Sequence, residues 1–230
     1  ILSVRYRITL KPNQVATIDL IYGITETRDS CIALMHKYQD QHYKNRAVEL
    51  AWTHSQVTLR QINATEADAQ LYGRLAASVI YANPNLRADS ALIQNNFRGQ
   101  SWLWSHSISG DLPIVLLHIY DQESMELVKQ LIQAHAYWRL KGLAVDLVIW
   151  NEDHGSYRQE LQEQILGLIT AEVNSNMIYN TPGNIYVKSV DQLSSEDRIL
   201  FESVARVIIF DNKGTLSEQV NRHNIERVLP

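Results

Sequence analysis

The chain has 230 residues, 45% of them hydrophobic and 20% charged, with a formal net charge of −4. That is globular composition, with apolar material for one large core or two small ones, and its mildly acidic balance excludes nucleic acid, which needs a basic field facing the polyphosphate. One cysteine, Cys31, excludes an internal disulfide framework, and the longest apolar run, near Leu112 to Ile119, is far short of the roughly 20 residues of a membrane helix, so no direct membrane insertion is expected.

In chain order, Val4, Tyr6, Ile8 and Leu10 alternate with Arg5, Arg7 and Thr9, the pattern of a half-buried strand. Lys11-Pro12-Asn13-Gln14 reads as a turn, and a second strand is predicted over Val15 to Gly23. Two strands alone are barely stable in water. This hairpin, with Ile1 already inside the alternating pattern, reads as the remnant of a longer polypeptide.

From Thr27 to about Asn96 the period becomes helical. Ile32, Met35, His36 and Gln39 share one face. Val48, Ala51, Trp52, Ser55 and Leu59 share another, and so do Leu71, Leu75, Ser78 and Val79. Thr65 with Asp68 three residues later resembles a capping box, and Asn83-Pro84-Asn85 reads as a helix stop. Three or four helices are expected, as a layer or spacer.

After Gly99 strands and helices alternate. Strands are predicted at Pro113 to Ile119, Val145 to Trp150, Asn184 to Val190 and Val207 to Phe210. Between them lie helical stretches at Ser124 to Leu140 (with Gly142 as its C-terminal glycine), Tyr157 to Ala171 and Ser194 to Ser203, and a turn at Asn180 to Gly183. That order implies βαβ units and a parallel sheet. The expected fold class is α/β: a short N-terminal β-hairpin remnant over 1–25, a helical spacer over 26–98, and a small Rossmann-like parallel sheet of about four strands over 99–230.

Such a sheet raises the question of a nucleotide. The turn after the first strand, Tyr120-Asp121-Gln122-Glu123, has no glycine to let backbone amides approach a pyrophosphate, and its two carboxylates repel phosphate. No P-loop motif occurs, and no cofactor is expected. Ser109, in Ile108-Ser109-Gly110-Asp111, precedes a strand, whereas a nucleophile elbow follows one. Cys31 reads as a small buried residue and His135 as a hydrogen-bonded core histidine.

Two constellations remain. The carboxyl ends of the strands carry Asp121, Glu152, Asp153 and Asp211, where converging carboxylates would hold Mg²⁺ or Ca²⁺. The competing reading is that they cap the following helices. Before the first strand of the sheet, Trp102 and Trp104 lie among Gln100, His106 and Asp111. Sugars present apolar C–H faces to aromatic planes and hydroxyls to polar rims, so these five residues form a candidate carbohydrate site. The competing reading, which tryptophan's usual burial favours, is that the indoles bolt the helical layer onto the sheet.

The stretch Gly99-Gln100-Ser101-Trp102-Leu103-Trp104-Ser105-His106-Ser107-Ile108-Ser109-Gly110-Asp111-Leu112-Pro113-Ile114 resembles a signature of the bacterial cyclic β-1,2-glucan synthases. Trp102 and Ser107 stand where that family's pattern has glycine. Gln133 to Leu143 running into Val145 to Glu152, Ser156 to Gln162, Glu49 to Trp52 and Asp68 to Leu71 are similar in the same order, so the resemblance covers most of the chain. It implies an interior, non-catalytic segment of a very large membrane-embedded protein at the cytoplasmic face of the bacterial inner membrane. That protein would combine a glycosyltransferase using UDP-glucose, a cyclising region, and a part similar to cellobiose and chitobiose phosphorylases. The segment would lie upstream of the phosphorylase-like barrel, touching neighbouring domains of the same polypeptide and β-1,2-glucan. The alternative, read from the residues alone, is a discrete α/β domain binding a metal or small polar ligand, with or without catalysis, at its acidic strand ends.

Overall fold

A computed structural model describes residues 3–152, 158–175 and 182–222. The chain divides into two units, 1–54 and 55–230. In the first, Asn13 takes a positive φ and Gln14 N–H donates to Lys11 O at 3.0 Å, which forms the predicted turn. Its arms do not form strands: residues 3–25 carry no β-ladder, and Val4, Tyr6, Leu10, Val15 and Tyr22 are exposed. The expected hairpin is thus corrected to a turn between two unpaired arms. Alternation fixes which side chains a strand would bury, but a two-stranded ribbon has no second layer to bury them against. Helix α1 (Arg28–Gln39) follows, with the Thr27 side chain accepting from Ser30 N–H and no buried residue. Lys44 pairs with Asp19.

Helix α2 (Gln41–Gln61) crosses the division, and its buried residues, Thr58 and Leu59, belong to the second unit. Helix α3 (Glu66–Tyr81) starts on the predicted capping box: Thr65 accepts from Asp68 N–H and the Asp68 carboxylate accepts from Thr65 N–H. It stops at Ala82, in the left-handed region, just before Asn83-Pro84. Helix α4 (Ser90–Gln94) and a 3₁₀ helix at Gln100–His106 lead to the sheet. Then come β1 (Ile114–Ile119), α5 (Met125–Leu140), β2 (Asp146–Asn151), α6 (Arg158–Ser175), β3 (Ile185–Ser189), α7 (Ser195–Val204), β4 (Val207–Phe210) and α8 (Leu216–Asn221).

The four strands are all parallel, in the order β3-β2-β1-β4. Leu117 stands beside both Ile149 and Ile209, and Ile149 beside Val187. The chain steps outward from β1 to β3, then returns past β1 to β4. Right-handed crossovers therefore put the helices of the two directions on opposite faces. Val115, Leu117 and Ile119 pack with Leu127, Val128 and Leu131 of α5, with Leu161 and Ile165 of α6, and with residues of α3 and α8. Ile114, Leu116, Val148 and Trp150 pack with Leu200 and Phe201 of α7 and with Leu103 and Ile108. The predicted α/β class with a four-stranded Rossmann-like sheet is the observed one.

Three features tune this frame. Gln133 accepts from Tyr72 O–H at 3.2 Å and donates to Ile62 O at 3.1 Å, while Trp138 Nε1–H donates to Tyr72 O at 2.9 Å, so α5 is bonded to α3 inside the core. His135 is buried and its Nε2 lies 2.9 Å from Val145 O, the core histidine expected from the sequence. Gly183, at φ +100°, approaches β2 so closely that a Cβ there would lie 2.6 Å from Val145 O.

Candidate functional site

The sheet brings functional side chains together at both of its ends. At the amino end, the 3₁₀ helix Gln100–His106 and the loop that follows it build one surface. Ser107 ends the helix at φ +64°, and Gly110 turns the loop back at φ +75°. A Cβ on Gly110 would lie 2.8 Å from Gln100 Cγ and 2.9 Å from Leu103 Cδ1, so only glycine lets loop and helix close. Gln100 Nε2 donates to Ser109 O and to Asp111 Oδ1, both at 2.9 Å, and Trp104 Nε1–H donates to the same Ser109 O at 3.2 Å.

Neither indole is buried, and Trp104 does not bolt the layers together. Trp102 is 50% exposed and Trp104 64%. The buried residue of that turn is Leu103, between them. A 3₁₀ helix has three residues per turn, so its apolar anchor leaves residues on either side facing out. One face of Trp102 is covered by the Arg98 guanidinium, 4.2 Å from the ring centroid. Arg98 in turn pairs with Asp197 at the start of α7 and lies 3.3 Å from Ser194 Oγ. His106 Nε2 lies 3.4 Å from the same Asp197 carboxylate, and its ring meets Phe201 edge-on at 5.2 Å. Burial pushes the Asp197 carboxyl up, but Ser194, His106 and Arg98 together hold it below its ordinary range. Gln100, Trp104 and Asp111 thus form one group, while Trp102 and His106 belong to a clamp onto α7.

Beside that group opens a cleft of about 460 Å³. Its walls include Val79 and Ile80 at the end of α3, Gln100, Asp111, Leu143 and Arg206.

At the carboxyl end the strand order reverses between β1 and β4, the place where open α/β sheets usually bind ligands. Asp211 joins the ends of β1 and β4 through Oδ2, which accepts from Tyr120 N–H at 2.7 Å and Asp121 N–H at 3.0 Å, while its Oδ1 is buried without a hydrogen-bond partner. Asp121 accepts from Glu123 N–H at 3.0 Å. Glu152 pairs with His118. Asp153 lies outside the described residues. Among the described residues, no three His, Cys, Asp or Glu side chains converge as a metal site.

His118, on β1 and only 2% exposed, is the residue missed in the sequence. Its ring stacks on Phe210 at 4.5 Å and meets Trp150 edge-on at 4.8 Å. Nδ1 faces Glu152, whereas Nε2 and the neighbouring Trp150 Nε1 are buried without a hydrogen-bond partner. Burial raises the Glu152 carboxyl, but its bonds to His118 and Tyr120 and the charge of Arg198 hold it below its ordinary range. Glu202 on α7 moves the other way, raised by burial and by the Glu152 charge. Tyr120 is pushed up to about 12 by burial and by Glu152. Strand parity was the available signal: His118 and Tyr120, like Trp150 and Glu152, are two residues apart and so share a face.

No protein-family model matches the chain. It is similar to the cyclic beta-(1,2)-glucan synthase NdvB of Rhizobium meliloti (strain 1021), with 28% identity over 195 residues. The aligned region is 85% of this chain and 7% of that protein, so the chain spans a small fraction of the curated relative it matches.

Proposed function

We propose that this chain is a non-catalytic, carbohydrate-associated segment of a large cyclic β-1,2-glucan synthase. The observation that carries the reading is the exposed indole of Trp104, set beside Gln100 and Asp111, in a chain related over most of its length to such a synthase. Aromatic faces with a polar rim suit sugars better than they suit ions. The hydrogen bonds of Asp121 and of Asp211 Oδ2 to backbone amides support a structural use of these two carboxylates.

Its role is to space and orient the catalytic modules of the parent while holding the growing glucan. Residues 1–25 are the tail of a neighbouring β-sandwich and 99–230 the Rossmann-like domain; of the helical stretch 26–98, α3 packs into the core of that domain and the part before it serves as the linker. The exposed apolar side chains from Val4 to Ile24 fit a surface that a neighbouring domain of the polypeptide covers. The parent works at the cytoplasmic face of the bacterial inner membrane. No described helix of this segment is long and apolar enough to cross a membrane.

A second reading rests on His118: an α/β domain that binds a small polar ligand, with or without catalysis, where β1 and β4 part. The buried Nε2 without a partner favours it. One experiment separates the two. In a two-dimensional NMR titration with short β-1,2-gluco-oligosaccharides, the first reading expects shifts clustered around Gln100–Asp111. Repetition with Mg²⁺ and with UDP-glucose would move the His118 imidazole if the second holds. Silence with all three would overturn both.

A further inference from the structure

The cleft beside the 3₁₀ helix has chemistry that the indoles alone do not explain. Its volume of about 460 Å³ lies within the usual range of ligand pockets, about 300–1,000 Å³. Ile80, Leu112, Pro113 and Leu143 give it apolar walls, while Gln100, Asp111 and Arg206 supply polar groups. Arg206 is exposed and, among the described residues, has no ion-pair partner, unlike Arg98, which α7 holds. Asp111 receives one hydrogen bond on Oδ1 from Gln100, so a carboxylate retains acceptor capacity. Cleft and indole are contiguous, because Gln100 Nε2 in the cleft wall and Trp104 Nε1 donate to one oxygen, Ser109 O.

Resting on the carbohydrate reading above, we infer that this cleft is a second sugar subsite. A neutral oligosaccharide lays one unit on the Trp104 indole and the next into the cleft. There Asp111 accepts from sugar hydroxyls, Arg206 donates to them, and Ile80 and Leu143 face the C–H surface. A neutral occupant fits a site holding one carboxylate and one free guanidinium better than an anion or a cation does. Arg98 also lines the cleft, but its guanidinium is held by Asp197 and covers one face of Trp102, so the guanidinium left for a ligand there is that of Arg206.

The test uses the full chain, with methyl and indole resonances followed during titration with linear β-1,2-gluco-oligosaccharides of increasing length. A disaccharide is expected to shift the Trp104 indole N–H. Longer oligosaccharides are expected to shift the Ile80 and Leu143 methyls and the Arg206 Nε–H as well. Arg206→Gln should weaken the longer ligands about tenfold, the value of one charge-assisted hydrogen bond, and leave the disaccharide unchanged. Arg206 is exposed, so the variant should melt with the parent. If Trp104→Ala abolishes binding while Arg206→Gln and the cleft methyls stay silent, the subsite is overturned and the carbohydrate reading stands. If neither variant matters because no oligosaccharide binds, both fall. Cleft shifts that follow protein concentration without sugar would assign the cleft to a second copy of the chain and overturn the subsite.

Discussion

Ser107 holds φ at +64°, a left-handed conformation that costs an L-residue about 1–2 kcal/mol. Ser107→Gly should raise stability by about 0.5–1 kcal/mol, the strain relieved less the extra chain entropy of glycine, as measured by urea unfolding. A drop would mean that the serine side chain has a role the turn does not explain. His135 carries the clearest pH dependence. Burial pulls it down from its ordinary 6.5 to about 4, because an imidazolium cannot be hydrated beneath α5. The folded state therefore binds fewer protons than the unfolded state between these values. His135 contributes stability that is full above about pH 6.5 and is lost, by about 3 kcal/mol, as pH falls to about 4. His135→Gln should flatten that slope in melts recorded across this range; an unchanged slope would assign it to other groups.

At the scale of elements, tryptophans divide by what lies under them. Trp138 on α5 is buried and bonded to Tyr72 on α3, so Trp138→Ala should cost about 3–5 kcal/mol. Trp104→Ala, in contrast, removes a largely exposed ring and should cost no more than about 1 kcal/mol in the same unfolding assay. A loss at Trp104 as large as that at Trp138 would restore the bolt reading. From the sequence the two kinds of indole look alike. Trp138 lies in a long amphipathic helix whose period marks its buried face. Trp104 lies in a short 3₁₀ turn, where no period develops. The caps were legible because they are local chemistry: Thr65 with Asp68 and Ser194 with Asp197 bond as their spacing requires. The cap on α8, Thr215 with Glu218, has the same signature.

For the whole molecule, strand and helix order determined a parallel sheet, since short apolar runs separated by helices have few other ways to bury both faces. The four predicted strands after Gly99 coincide with β1 to β4 to within a residue or two. Their order across the sheet was not legible, because parallel strands of similar composition carry no mark of their neighbours. That order decides the chemistry. It puts β4 beside β1, sets His118 between Trp150 and Phe210, and uses Asp211 to join two strand ends. The arms around the Lys11–Gln14 turn show the opposite failure, where a clear alternating pattern meets no partner layer. The amino-acid sequence by itself determined the local elements, their caps and the absence of a glycine phosphate cradle, because each depends on neighbours along the chain. The tertiary structure alone decided which indoles face solvent, which carboxylates are already engaged, and that a cleft opens beside Trp104, because each depends on residues that meet only when the sheet is assembled.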